Sequence, residues 1–245
     1  MTLKSPRTLA TIEARMTSSR LPGKVLKPVL GRPMLALMVE RLRRVSALDG
    51  IVIATTVNAT DDPLVDLAEN LGVGVFRGSE DDVMGRVLGA ARAHGADVIV
   101  ETTGDCPLID PAIVQRCVEA YAAADVDYLS NVLTRSYPIG MDTQVFAADI
   151  LADAAARTDD PRDREHVSLY IYNHPERYRL QNVAAPPALR DPNLALTLDT
   201  AEDLALIAAV FEALYPENPD FRLDDILRLL ARKPELREIN RHVRE

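Results

Sequence analysis

The segment Ala14 to Pro28, ARMTSSRLPGKVLKP, combines residue types whose spacing suggests chemistry. Arg15, Arg20, Lys24 and Lys27 fall within thirteen positions of a chain whose formal net charge is −9. Thr17, Ser18 and Ser19 add hydroxyls, and Gly23 marks a turn. Guanidinium and ammonium groups form charge-assisted hydrogen bonds to phosphate oxygens, while hydroxyls and backbone N–H groups supply uncharged donors. Such a loop can hold phosphates, or it can be a solvated basic loop. It is not a P-loop, because Gly23-Lys24 is followed by Val25 and the position five before Gly23 is Ser18.

Two acidic segments complement it. TTGDCPLID, Thr102 to Asp110, follows an apolar run and places Asp105 after Gly104; LTLDTAED, Leu196 to Asp203, ends a second run at Asp199. Ligands of open α/β sheets bind beyond the carboxyl ends of strands, so both acids belong at such a crevice. Two carboxylates arriving there suit Mg²⁺ shared with a triphosphate. The plainer alternatives are a turn residue at Asp105 and a helix cap at Asp199.

The elements that must position these residues follow from periodicity. Strands are expected over residues 8–14, 51–55, 73–76 and 97–101, and helices over 34–45, 63–70, 80–94 and 110–122. Alternating strands and helices predict an α/β fold with a mostly parallel central sheet. After about residue 125 the rhythm loosens: strands over 128–131 and 143–146 and helices over 147–157 and 163–174 read as an insertion at about 125–175 on the same sheet. Further strands are expected over 179–183 and 194–198, then a helix over 200–214 with Asp199 or Thr200 as N-cap. Residues 215–220 read as a linker, and 222–243 as two short amphipathic helices separated near Pro234. The domain is thus expected over residues 1–215, with 216–245 as its C-terminal helical extension.

Composition narrows the function. With 47% hydrophobic and 27% charged residues, 11 Gly and 16 Pro, the 245-residue chain is an ordinary globular one, which excludes disordered, collagenous and coiled-coil classes. No apolar run reaches the roughly 18 residues of a spanning helix and no leader pattern opens the chain, so a cytoplasmic protein without membrane attachment is expected. The negative charge argues against a nucleic-acid partner. Cys106 and Cys117 are too few for a disulfide framework, and Cys106, lacking an activating base nearby in sequence, reads as a packing residue.

Taken in order, Ala14 to Pro28, FRGSEDDV (Phe76 to Val83), TGDCPLID (Thr103 to Asp110), YPIGMDTQVF (Tyr137 to Phe146), REHVSLYI (Arg164 to Ile171) and LDTAEDL (Leu198 to Leu204) resemble the cytidylyltransferases. The likeness is to the spore-coat polysaccharide biosynthesis protein F-like branch, related to acylneuraminate and 3-deoxy-manno-octulosonate (KDO) cytidylyltransferases. It implies a single-domain nucleotide-diphospho-sugar transferase fold, GT-A-like and Rossmann-like, transferring CMP from CTP to a sugar or sugar acid with release of pyrophosphate. It further implies Mg²⁺ as cofactor and a homodimer, with residues 125–175 the place to look for the contact. Residue by residue, the resemblance assigns the nucleotide to Ala14, Arg15, Ser19, Arg20, Lys24, Ser79 and Thr103. Arg15, Lys24 and Asp105 take catalytic roles, and Asp105 and Asp199 hold the metal. The acceptor falls to Tyr137, Gly140, Asp142, Gln144, Glu165 and His166, where His166 either touches the acceptor, acts as acid or base, or is structural.

Three positions depart from the branch: Glu13 for Gln, Glu101 for Arg and Gln144 for Glu. They imply either a different acceptor or a rearranged internal ion pair. The competing functions are a nucleotidyltransferase using another base and a sugar 1-phosphate, a glycosyltransferase of the same fold, or a nucleotide binder without catalysis. RLPGK favours nucleotidyl transfer, and Asp105-Cys106-Pro107 is not the Asp-x-Asp expected of a glycosyltransferase.

Overall fold

The computed structural model describes residues 5–243; the outermost positions of the expected domain and extension lie outside them. In chain order, β1 (Thr8–Glu13) is followed by a hairpin of β2 (Pro28–Val29) and β3 (Arg32–Pro33), then α1 (Met34–Leu42), β4 (Gly50–Thr56), α2 (Asp62–Leu71), β5 (Gly74–Gly78), α3 (Val83–His94), β6 (Val98–Thr103) and α4 (Pro111–Ala123). The second half supplies β7 (Tyr128–Ser130), β8 (Gln144–Ala147), α5 (Ala148–Ala155), α6 (Pro161–Glu165), α7 (Leu169–Asn173), β9 (Leu180–Asn182), α8 (Ala201–Leu214) and α9 (Leu223–Arg232).

Seven strands form one sheet in the order β5-β4-β1-β6-β8-β7-β9. Neighbours β5, β4, β1 and β6 are parallel, and β8 runs antiparallel to both β6 and β7. The chain winds outward from β1 through β4 to β5 and returns to β6 on the other side of β1. The strand order therefore reverses at β1 and β6, whose carboxyl ends border a crevice.

Alternation along the strands divides the core. Ala10, Ile12, Ile51, Ile53, Val98 and Val100 join the cluster containing α1, α4, α8 and α9 residues, whereas Ile99, Tyr128 and Phe146 pack with α3, α5 and α7. On this second face the strands change character along their length. Leu9, Ile99 and Phe146 are apolar, but Thr11, Glu13, Glu101, Thr103 and Gln144 continue the same alternation toward the crevice.

Several boundaries differ from the periodicity. The helix expected from residue 80 begins at Val83, because the Asp82 side chain accepts from Gly85 N and caps it there. The helix expected over 163–174 is broken at buried Val167, whose φ of 40° leaves the helical region and separates α6 from α7. Residues 194–198 form no strand: Ala195 makes an isolated bridge to Ile139, and Gly140 at φ 97° turns the chain away from further pairing. Beyond α9, residues 234–243 form two tight 3₁₀ turns instead of a second α-helix. The tail is still core: Phe221, Leu223, Ile226, Leu229 and Leu230 are buried in the larger cluster. Buried Arg41 anchors it, donating to the carbonyls of Ile109 (2.8 Å) and Phe221 (3.0 Å) with its guanidinium 4.3 Å from the Phe221 ring centre.

Candidate active site

A cavity of about 1120 Å³ opens at the β1/β6 crevice and extends over the polar stretch of the sheet. It exceeds the roughly 300–1,000 Å³ usual for one small ligand. The loop after β1 forms its mouth. Buried Asp61 ties that loop to the end of β4, accepting from Met16 N at 2.7 Å and from the Thr56 hydroxyl at 2.5 Å. Gly23, at φ 67°, donates back to the Met16 carbonyl at 2.9 Å and turns Lys24 inward. Opposite, Gly104 N donates to the Glu13 carbonyl at 2.8 Å, and a side-chain carbon at Gly104 would stand 3.0 Å from that oxygen. A glycine there lets the segment carrying Asp105 lie directly on the end of β1.

Lys24 Nζ is 2.8 Å from Asp199 and 3.4 Å from Asp105, and Arg20 is 3.1 Å from Asp199. The Thr103 hydroxyl donates to Asp105 at 2.6 Å. Asp199 is not the cap of α8: Thr200 is, accepting from Asp203 N while the Asp203 carboxylate takes Thr200 N. The Asp199 carboxylate is thereby available to the cavity cations. Arg15 pairs with Glu80 at 3.0 Å, and Glu80 also accepts from Thr17 and Asn58, bonds that hold its carboxyl below the usual range. Arg15, Ser19, Arg20, Lys24, Asp105 and Asp199 thus share one rim, with Ala14 and Thr103 beside them. Two carboxylates converging on one point, with only oxygen donors, fit a hard divalent cation completed by phosphate oxygens and water; among the described residues no third acid or histidine joins them as a protein-only metal cluster.

Gln144, Glu165, His166 and Tyr172 also line the cavity, with Glu165 and His166 exposed at its edge. The remaining expected site residues lie elsewhere. Tyr137 is 2% exposed and packs in the core. At Gly140 an added side-chain carbon would lie 2.8 Å from the Leu196 carbonyl carbon, so this glycine serves the close backbone crossing and is not among the residues lining this cavity. Asp142 is held by both Arg135 nitrogens at 2.7 and 2.9 Å, and it is Arg135 that reaches the cavity. The Ser79 hydroxyl accepts from Asp81 N and Asp82 N, shaping the turn before α3 while Glu80 and Asp81 face the space. Arg86 also lines the wall; its signal in the sequence is a cation within the buried stripe of α3.

The floor carries Glu13 and Glu101. Burial, reinforced by the neighbouring Glu101 charge, holds Glu13 well above the usual carboxylate range, and burial pushes Glu101 up to about 8. Cys106 is buried and its thiol is raised by that burial, in keeping with a packing role.

Residues 9–227 match the family model described as cytidylyltransferase. The chain is 37% identical to the spore coat polysaccharide biosynthesis protein SpsF of Bacillus subtilis, over 93% of this chain and 95% of that one. It is 28% identical to a 3-deoxy-manno-octulosonate cytidylyltransferase of Solibacter usitatus, covering 84% and 94%. A solved cytidylyltransferase from Leptospira borgpetersenii superposes with a TM-score of 0.87 at 30% identity, covering 94% and 95%. The sheet order, the loop after β1 and the extent of these matches lead to one conclusion: the chain belongs to the cytidylyltransferase family, enzymes that are CTP-dependent nucleotidyltransferases.

Proposed function

We propose that this protein transfers CMP from CTP to a sugar-type acceptor, releasing pyrophosphate, in the synthesis of a surface polysaccharide or glycan. The observation that carries this reading is the meeting of Lys24 with Asp105 and Asp199, from three separate segments, at the carboxyl ends of β1 and β6. An acceptor oxygen attacks the α-phosphorus, the bond to the bridging oxygen of the β-phosphate breaks, and pyrophosphate leaves. Alignment and neutralisation of charge dominate such a reaction. Arg15, Arg20 and Lys24 take the triphosphate oxygens, and Ala14, Ser19 and Thr103 border the nucleotide. Asp105 and Asp199 would hold Mg²⁺, which when bound supplies positive charge at the phosphates. The part of the cavity lined by Gln144, Glu165 and His166 is left for the acceptor. A homodimer and a cytoplasmic setting complete the reading.

Pyrophosphate release, measured with CTP, UTP, ATP and GTP against KDO, sialic-acid-like sugars, amino sugars and sugar 1-phosphates, tests it. The expected result is Mg²⁺-dependent release with CTP that falls at least about 100-fold in Asp105→Ala. Equal release from all four nucleotides, or full activity in the variant, would overturn it.

A further inference from the structure

Glu80 sits at the cavity mouth in the turn between β5 and α3, and that turn is fixed before its side chain is considered. The Ser79 hydroxyl accepts from Asp81 N and Asp82 N, and buried Arg86 donates through Nη1 to the carbonyls of Ser79 and Glu80. The Glu80 carboxylate then reaches two other segments. Its Oε1 accepts from Arg15 Nη1 at 3.0 Å and from the Thr17 hydroxyl at 2.6 Å, both on the loop after β1. Its Oε2 accepts from Asn58 Nδ2 at 2.6 Å, just beyond β4. Arg15 and Glu80 are among the residues lining the cavity, whereas Thr17 and Asn58 are not. One nitrogen of Arg15 is engaged in this way. A guanidinium carries five N–H donors in a rigid plane, so the contact fixes Arg15 and leaves four donors for a ligand.

An acid beside a triphosphate site has two opposed effects. Its charge repels the phosphates; its hydrogen bond removes rotamer freedom that the arginine would otherwise lose on binding. The Arg15 side chain is 44% exposed, so without Glu80 nothing on its own loop holds it to one orientation. Repulsion is weakened because donors from three residues compensate both carboxylate oxygens. Positioning therefore dominates. Resting on the reading of Arg15 as a triphosphate ligand, we propose that Glu80 is a positioning residue for nucleotide binding: anchored by Asn58 and Thr17, it holds Arg15 oriented to receive the triphosphate.

The test is calorimetric titration of the whole protein with CTP and Mg²⁺. E80A is expected to weaken CTP binding about tenfold, and E80Q less, since its amide oxygen still accepts from Arg15 and Thr17. N58A, which alters no cavity-lining residue, is expected to weaken binding about threefold by loosening Glu80. A double-mutant cycle supplies the readout that a merely structural role would not move: in an R15A background, E80A and N58A should cause no further loss. Tighter CTP binding in E80A, the result of repulsion alone, would overturn the proposal. So would unchanged affinity in E80A and N58A, or losses that simply add to that of R15A. Should E80A fail to fold, E80Q and N58A carry the same cycle. The proposal fails alone when R15A weakens CTP binding and the Glu80 and Asn58 variants do not; an R15A variant that binds CTP like wild type sinks the triphosphate reading of Arg15 and this proposal with it.

Discussion

At the scale of single residues, the site is built from charges that compete. Lys24 serves two acids at once, and Asp199 receives both Lys24 and Arg20 because Thr200 relieves it of capping. Glu101 is the opposite case, an acid whose charged form the fold penalises. Its raised value of about 8, against 4.5 in water, has a definite consequence for stability. Below about pH 4.5 the carboxyl is protonated in folded and unfolded chains alike, so it costs nothing. As pH rises the unfolded chain releases the proton first, and stability is lost progressively until the folded carboxyl also ionises near 8. The urea midpoint of Glu101→Gln should therefore gain on wild type across this window and run parallel to it in more acidic solution. A difference independent of pH would show that Glu101 is ionised without penalty.

Elements place these residues through a few backbone positions. Gly23 and Gly104 bring the loop after β1 and the turn after β6 together, and both lie in motifs legible from residue types alone. Other positions were legible as motifs but misleading as contacts. In YPIGMDTQVF, Tyr137 lies in an irregular stretch and packs into the core, and Asp142 is spent on Arg135, so only Gln144 reaches the cavity. Periodicity alone cannot see a pairing between residues far apart in a loop. Gly140 is the tight crossing of that segment: φ 97°, and a side-chain carbon that would stand 2.8 Å from the Leu196 carbonyl carbon, leave no room for a side chain. Gly140→Ala should cost about 2 kcal/mol or more in denaturant unfolding, whereas a loss within a few tenths would mean that the crossing with Leu196 relaxes freely.

At the scale of the molecule, the reversal of strand order at β1 and β6 explains why chemistry collects where it does. The parallel half was readable because buried β-branched runs and capped amphipathic helices alternate cleanly there. The half beyond residue 125 was harder, since β7, β8 and β9 are only three or four residues long and α6 and α7 are parted by a strained valine. Short elements carry too few residues for a period to show. The rim of Arg15, Arg20, Lys24, Asp105 and Asp199 was foreseeable as a set because each follows a strand or begins a turn; the floor of Glu13 and Glu101 stood out only as departures from a resemblance, their burial being visible in three dimensions alone. The measurement that tests the central claim most directly is a crystal structure of the protein with Mg²⁺ and a non-hydrolysable CTP analogue. The account predicts the triphosphate against Arg15, Arg20 and Lys24, with Asp105 and Asp199 ligating the metal and the base and sugar within the same cavity. A nucleotide bound away from the β1/β6 crevice, or a metal held without either aspartate, would contradict it.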